Sequence, residues 1–144
     1  MNADRVELLD RISSALRVLG TRMTCTFRAE LECFEMSLPM AHALRELESP
    51  LSMGTLAERL SCDASYITGL ADQLEERSLI ERRADPDDRR VKQLVRTDKG
   101  ERVAAEVHER FMRSHPIISP LTSDELAVMA RLLEKAVAAG TDES

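Results

Sequence analysis

Nine basic side chains lie close together in the second half of the chain, and their chemistry is that of phosphate binding. They occur between residues 77 and 102 with six acidic ones, so this stretch carries +3 while the whole chain carries -6. Guanidinium and ammonium groups bind phosphate oxygens, which makes the stretch a candidate nucleic-acid surface. An ordinary solvated surface segment is the alternative. The basic residues are Arg77, Arg82, Arg83, Arg89, Arg90, Lys92, Arg96, Lys99 and Arg102.

Catalytic and metal chemistry have little support in the sequence. None of the three histidines belongs to a catalytic motif, and there is no GxSxG, HExxH or Gly-rich phosphate loop. The cysteines form no CxxC pair, so neither a disulfide framework nor a zinc site is indicated; they are Cys25, Cys33 and Cys62. We therefore expect no enzyme activity, no cofactor and no metal.

The composition predicts one compact domain. The chain has 144 residues, of which 43% are hydrophobic and 32% charged, a balance that disfavours disordered and low-complexity proteins. No apolar stretch approaches the roughly 18 to 20 residues of a membrane span. The charged first residues, MNADRVELLDR, lack the apolar core of a signal peptide. We expect a cytoplasmic protein with no membrane contact.

Apolar residues near both ends recur at spacings of three and four, which predicts a long helix at each end. One seam runs through residues 9–23. The other runs through residues 126–137, after a T-x-x-E capping box at Thr122 and Glu125. The two seams could close on each other or on a second copy of the chain. We favour a homodimer, because the middle of the chain has the pattern of a domain that folds alone.

The middle of the chain predicts short helices followed by a hairpin. Helices are expected over residues 38–47, 54–60 and 64–77, with Asp63 as the N-cap of the last and Cys62 packed inside the turn before it. Two strands, 79–84 and 91–95, flank a turn of Asp and Pro residues, and a further helix follows Gly100. The predicted fold is therefore mainly α with a small β-hairpin wing: a winged helix-turn-helix with terminal dimerisation helices.

Three segments resemble the MarR (multiple-antibiotic-resistance regulator) family. They are LAERLSCDASYITGLADQLEERSLIERR at 56–83, DPDDRRVKQLVRTDKG at 85–100 and LTSDELAVMARLLEKAV at 121–137. The resemblance implies a DNA-binding transcriptional regulator, a homodimeric repressor on a pseudo-palindromic operator that a small aromatic or phenolic effector releases. We accordingly expect an N-terminal dimerisation helix at 1–36, the DNA-binding domain at 37–100 and C-terminal dimerisation helices at 101–144.

The same resemblance implies which residues of the recognition helix, the predicted helix at 64–77, meet DNA. Ser65 and Thr68 match positions that face the major groove, with Tyr66, Gly69 and Gln73 as neighbours. Hydroxyl groups can serve a base edge or a phosphate, and a glutamine can pair with adenine.

In the hairpin, Asp88 and Arg90 match the family's D-x-R pair. The carboxylate is expected to hold the guanidinium by a bidentate bond, and Arg90 to probe the minor groove. Arg83, Arg89 and Lys92 are candidate phosphate contacts.

Three residues depart from the family pattern. Ser78 replaces the glycine that usually ends the recognition helix, which puts its left-handed cap in question. Arg96 replaces a leucine and is expected to expose its charge at the end of a strand. Gly69 replaces a larger residue, which removes one potential DNA contact.

An effector pocket and a redox site are less firmly indicated. Relatives bind effectors between the dimerisation helices and the winged domain, where this chain has Met and Phe residues that equally suit an ordinary core. Some relatives sense oxidants through a cysteine, so Cys25 and Cys33 are redox candidates and oxidant sensing is the alternative function. A non-DNA-binding interaction module of the same fold is the other alternative. The candidate pocket residues are Met23, Phe27, Phe34, Met36, Met40 and His42.

Overall fold

The computed structural model describes residues 3–117 and 120–140, which divide into two compact units. One unit is Thr24–Met112; the other joins the N-terminal part of the first helix to the segment from Arg113 onward. The predicted mainly α fold with a small sheet is confirmed. The elements are α1 (Ala3–Glu32), α2 (Leu38–Glu46), β1 (Leu51–Ser52), α3 (Met53–Leu60), α4 (Ala64–Glu76), β2 (Ile80–Ala84), β3 (Lys92–Arg96), α5 (Asp98–Arg113) and α6 (Ser123–Gly140).

The sheet has three antiparallel strands in the order β1-β3-β2. The predicted hairpin is confirmed: β2 pairs with β3 from Ile80 opposite Arg96 to Ala84 opposite Lys92. Strand β1, which pairs Leu51 with Leu94, was not predicted. Two residues after a proline are too few to show an alternating pattern. We call β2, β3 and the turn between them the wing.

The core of the larger unit is built from the inner faces of its helices and the start of the wing. Met40, Ala43 and Leu44 of α2 are buried, as are Ile67, Leu70, Ala71 and Leu74 of α4, Leu79 just before the wing, and Ile80 and Leu94 of the wing. Full burial of each large apolar side chain contributes about 1.5 to 3 kcal/mol. The spacing of the buried residues fixes which face of α4, the recognition helix, points outward.

The helices begin at polar residues, although Asp63, the predicted N-cap of α4, holds that position without a side-chain hydrogen bond. The Ser37 hydroxyl accepts a hydrogen bond from Met40 N at 3.4 Å, and that of Ser52 accepts one from Thr55 N at 3.1 Å. The capping box before α6 is also present, because Thr122 N donates to Glu125 Oε2 at 2.8 Å and Glu125 N donates to Thr122 Oγ1 at 3.3 Å.

Ser78 keeps the left-handed cap at the end of the recognition helix. Its φ is 57°, and Leu79 N donates to Leu74 O at 2.9 Å, which is the six-to-one bond of a Schellman motif. A side chain in this conformation costs about 1 to 2 kcal/mol relative to glycine. Serine in place of the family's glycine at position 78 therefore strains the backbone but leaves the end of the helix unchanged.

Arg96 corrects one expectation. Its side chain is only 8% exposed, and its guanidinium donates to Leu44 O at 2.7 Å, to Arg45 O at 2.8 Å and to Glu101 Oε2 at 3.1 Å. The expected exposed charge is wrong because the last carbonyls of α2 face the end of β3 and need donors. Arg96 thus joins the wing to α2 and α5.

A close contact joins the end of the recognition helix to the start of α5. Thr97 N donates to Leu79 O at 3.1 Å, and Thr97 Oγ1 donates to Ser78 O at 2.6 Å. Any Cβ atom at Gly100 would lie 1.9 Å from Leu79 O. Only glycine permits this approach of two backbone segments.

The smaller unit has no core of its own within residues 4–23, 113–117 and 120–139, since no side chain there is buried. Large apolar side chains lie on its surface instead: Val6, Leu8, Leu9, Ile12, Leu16, Val18, Val128, Leu132, Leu133 and Val137. Of the helices described, none combines the length and apolar character that crossing a membrane demands.

Replacing Gly100 with alanine should lower the free energy of unfolding by about 3 kcal/mol, because the new methyl group meets backbone that cannot move aside. Chemical denaturation checks this result. Gly69→Ala is the matched control: it adds a methyl group to open space in α4 and should raise stability by about 1 kcal/mol. Equal effects of the two changes would contradict the proposed role of the contact.

Ser78→Gly should raise the free energy of unfolding by about 0.5 to 1 kcal/mol, because glycine adopts positive φ without strain. Ser78→Ala removes the same hydroxyl but keeps the strain, and should change stability by less than about 0.5 kcal/mol. Thermal unfolding of both variants separates the two contributions. An equal gain from alanine and glycine would show that the hydroxyl, and not the backbone, is the cause.

Candidate nucleic-acid interface

The recognition helix has one buried face and one exposed face. All five predicted DNA-facing residues lie on the exposed side: Ser65, Tyr66, Thr68, Gly69 and Gln73. Tyr66 is 49% exposed, and the Thr68 hydroxyl donates to Ala64 O at 3.0 Å while its lone pairs stay available. The structure therefore brings these residues together on a surface that DNA can reach.

Asp85 organises the turn of the wing. Its Oδ1 accepts from Asp87 N at 2.7 Å and from Asp88 N at 3.2 Å, while Oδ2 accepts from the Gln93 side chain at 2.5 Å. These bonds, first that from Asp87, hold the pKa of the Asp85 carboxyl below its usual value. The sequence predicted the turn but not the role of Asp85, although aspartate before Pro-Asp is a common turn former.

The predicted side-chain bond between Asp88 and Arg90 is not present. Asp88 Oδ1 accepts instead from the backbone N of Arg90 at 3.0 Å. A carboxylate two residues before an amide reaches it without extending, and the tight turn at residues 85–88 favours this local bond. The guanidinium of Arg90 consequently extends from the wing, exposed like those of its neighbours, without an ion pair among the described residues.

Several basic residues of the stretch hold the structure together. Arg82 binds Asp72 and Glu75 of the recognition helix, and hydrogen bonding to Asp72 raises its pKa. Arg77 donates to the carbonyls of Phe34 and Glu35, and Lys99 Nζ donates to Arg77 O at 2.7 Å. The sequence did not predict these roles because each depends on a partner in another part of the fold.

The remaining cations are exposed. Arg83 is paired with Glu81 on the same strand, whereas Arg89, Arg90 and Lys92 make no ion pair within the part of the chain that the structure describes. They lie at or beside the wing turn, at the far end of the hairpin from the core. The exposed cations of the wing and the polar face of α4 thus belong to one compact unit.

Two of the candidate effector-pocket residues pack together. The rings of Phe27 and His42 are stacked 6.1 Å apart, and Phe27 also lies 4.8 Å from Phe111. Burial, then the nearby Arg45, lowers the pKa of His42, which leaves its imidazole neutral near pH 7.

The other candidates have different surroundings. Met36 and Met40 are buried in the core, as the ordinary interpretation of such residues predicts. The ring of Phe34 has the guanidinium of Arg110 5.3 Å from its centroid. Met23 lies on α1 in the smaller unit and is half-buried there.

A cleft of about 490 Å³ opens between α2 and the first turns of the recognition helix. We call it the recognition cleft and define it by its lining residues: Leu38, Pro39, His42, Leu60, Ser61, Cys62, Asp63, Tyr66 and Leu70. His42 is the only predicted effector residue among its lining groups. Tyr66 lines the cleft and also belongs to the exposed face of α4.

All three cysteines are exposed and free. The expectation that Cys62 packs inside its turn is wrong: Ser61 adopts a left-handed conformation that turns Cys62 outward, and its thiol donates to Leu60 O at 3.2 Å. Cys25 and Cys33 lie on the surface of α1 and just after it. Nowhere in the described ranges do His, Cys, Asp and Glu side chains cluster in a set of three that could hold a metal.

Comparisons with known proteins agree with this geometry. The model of the MarR family matches residues 36–92, which run from the loop before α2 into β3. The transcriptional repressor MdtR of Bacillus subtilis is 37% identical over 97 residues, a match that covers 65% of this chain and 61% of that protein.

Two solved structures are similar over most of their length. A MarR family protein from Bacillus stearothermophilus matches with a TM-score of 0.82 and 27% identity, covering 98% of this chain and 99% of that one. CouR from Rhodococcus jostii, solved with p-coumaroyl-CoA bound, matches with a TM-score of 0.73 and 26% identity, covering 91% of this chain and 94% of its own.

Proposed function

We propose that this chain is a transcriptional regulator of the MarR family and works in the cytoplasm as a homodimeric repressor, released from its operator by a small molecule. Its role would be binding and not catalysis. The observation that carries the proposal is the arrangement of one polar helix face and a wing with exposed arginine and lysine side chains on a single compact unit.

The arrangement suits a duplex. The exposed face of α4 fits the major groove, where Ser65, Thr68 and Gln73 would meet base edges or phosphates. The wing would reach the adjoining minor groove, whose negative potential attracts an arginine such as Arg90. Arg83, Arg89 and Lys92 would contact phosphates, Arg83 after leaving Glu81.

Dimerisation is supported by the smaller unit. A set of helices with ten exposed large apolar side chains and no buried residue in its described part does not form a stable unit by itself. A second copy provides a matching apolar surface, and a twofold pair would present two recognition helices to half-sites about one helical turn apart. The operator would then be pseudo-palindromic.

The proposed function includes release of the protein from its operator by a small-molecule effector. MdtR is a repressor, and CouR was solved with p-coumaroyl-CoA bound, so repression and the binding of a small molecule each occur among similar proteins. A ligand that binds better to a dimer with the wrong spacing between recognition helices would shift the population away from the DNA-binding form. We place the effector in the recognition cleft.

Arg90→Ala should weaken binding to a duplex from the region upstream of the chain's own gene at least tenfold, about 1.4 kcal/mol, because the minor-groove contact is lost. The dependence of log K on log salt should also fall by about one. Fluorescence anisotropy at several salt concentrations measures both quantities.

Arg28→Ala is the control for Arg90→Ala, since it removes the same charge from an exposed position on α1 outside the wing. Its affinity should match that of the unmodified protein within about twofold at 0.15 M salt. An unchanged affinity in Arg90→Ala, or an equal loss in both variants, would contradict a specific role for the wing arginine.

Leu132→Asp should weaken the dimer at least a hundredfold, about 2.7 kcal/mol, because it puts a charge into an apolar interface. Leu132 is 56% exposed in the single chain, so its replacement should leave the fold of the protomer intact. Sedimentation equilibrium measures the dissociation, and circular dichroism measures the fold. Arg131→Asp, at an already charged position on α6, should stay dimeric; a monomeric native protein would overturn the proposal.

A further inference from the structure

The recognition cleft has mainly apolar walls. Leu38, Leu60 and Leu70 line it, together with the ring of Tyr66. Its volume of about 490 Å³ lies within the range of roughly 300 to 1,000 Å³ that is typical of sites for small organic molecules. The walls therefore favour a ligand with a hydrophobic or aromatic body.

The lining of the cleft carries a negative charge and no positive one. No lysine or arginine lines it, and the neutral imidazole of His42 adds no positive charge near pH 7. Asp63 supplies the one carboxylate. Although Asp63 occupies the N-cap position of α4, its side chain makes no capping hydrogen bond, so its oxygens are available to a ligand.

The helix dipole does not reverse this preference. The N-terminus of α4 carries the equivalent of about half a positive charge, whereas the Asp63 carboxylate carries a full negative one. The local field therefore remains negative at the carboxylate. An anionic ligand would lie beside Asp63 with no cationic side chain in the lining to compensate for it.

We propose that the recognition cleft binds an aromatic or lipophilic amine, with its ammonium group beside Asp63 and its apolar body against Leu38, Leu60 and Leu70. The ring of Tyr66 offers the cation a second favourable contact. This inference rests on the proposed function in that it assigns the chemical class of the effector. It also predicts that aromatic acids are poor ligands here.

Tyr66 provides a direct readout of occupancy. It is the only tyrosine of the chain, which has no tryptophan, so intrinsic fluorescence near 300 nm comes from this one residue of the cleft. Because Tyr66 also belongs to the exposed face of α4, a ligand that fixes its ring in the cleft removes it from the surface that faces DNA. Ligand binding and DNA binding should therefore oppose each other.

The test uses three probes of equal size that differ in charge: 4-phenylbutylamine, 4-phenylbutan-1-ol and 4-phenylbutyrate. Titrated at pH 7.5 and followed by Tyr66 emission, the amine should bind at least tenfold more tightly than the carboxylate, with the alcohol between them. The amine should also weaken binding to the upstream duplex, whereas the carboxylate should not.

Asp63→Asn should reduce the preference for the amine over the carboxylate to less than about threefold, while asparagine keeps the N-cap of α4. Glu76→Gln makes the same charge change about 20 Å away at the other end of the helix, and should keep the full preference. Equal or tighter binding of the carboxylate, an unchanged preference in Asp63→Asn, or no emission change up to about 10 mM of any probe would overturn the inference.

The failure of this inference is distinguishable from that of the proposed function. Binding of the ligand-free protein to the upstream duplex tests the regulator itself. If the duplex binds but the amine does not enter the cleft, only the assignment of the ligand class is wrong. If the amine binds and Tyr66 responds but no duplex binds, the DNA-binding role is wrong while the cleft assignment stands.

Discussion

The junction at Ser78 and Leu79 is the constraint on which the DNA-binding surface depends. These residues connect the end of the recognition helix to the start of the wing, and the first turn of α5 approaches them so closely that residue 100 has no room for a side chain. Leu79 N and Leu79 O bind Leu74 and Thr97, and Thr97 in turn binds Ser78. Each bond contributes about 1 kcal/mol, and together they fix the angle between helix and wing.

The basic stretch has two roles that its charge alone does not separate. Arg77, Arg82, Arg96 and Lys99 bind carbonyls or carboxylates and hold helices and strands together, while Arg89, Arg90 and Lys92 remain at the exposed wing tip. Many of the neighbouring acids are likewise structural, since Asp72 and Glu75 hold Arg82 and Asp85 holds the turn. An acidic chain can therefore present exposed arginine and lysine side chains on its wing, while its other basic residues are held in structural contacts.

Local patterns in the sequence predicted the elements, and long-range contacts explain what they missed. The seam of Ile67, Leu70 and Leu74 predicted the inner face of α4, and the box of Thr122 and Glu125 predicted the start of α6, because both depend on residues three or four apart. The burial of Arg96 depends on α2, about fifty residues earlier. Cys62 is exposed because Ser61 before it is left-handed, and the residue type serine does not predict that conformation.

The inner side chains of the recognition helix pack in the core and its outer side chains face solvent. This division limits how a ligand could change DNA binding. The inner residues belong to the core, so the helix cannot shift far relative to its unit without losing buried apolar area worth several kcal/mol. A typical allosteric coupling of 1 to 3 kcal/mol is smaller than that cost. A ligand beside α4 would therefore act through surface side chains such as Tyr66, and not by unfolding the helix.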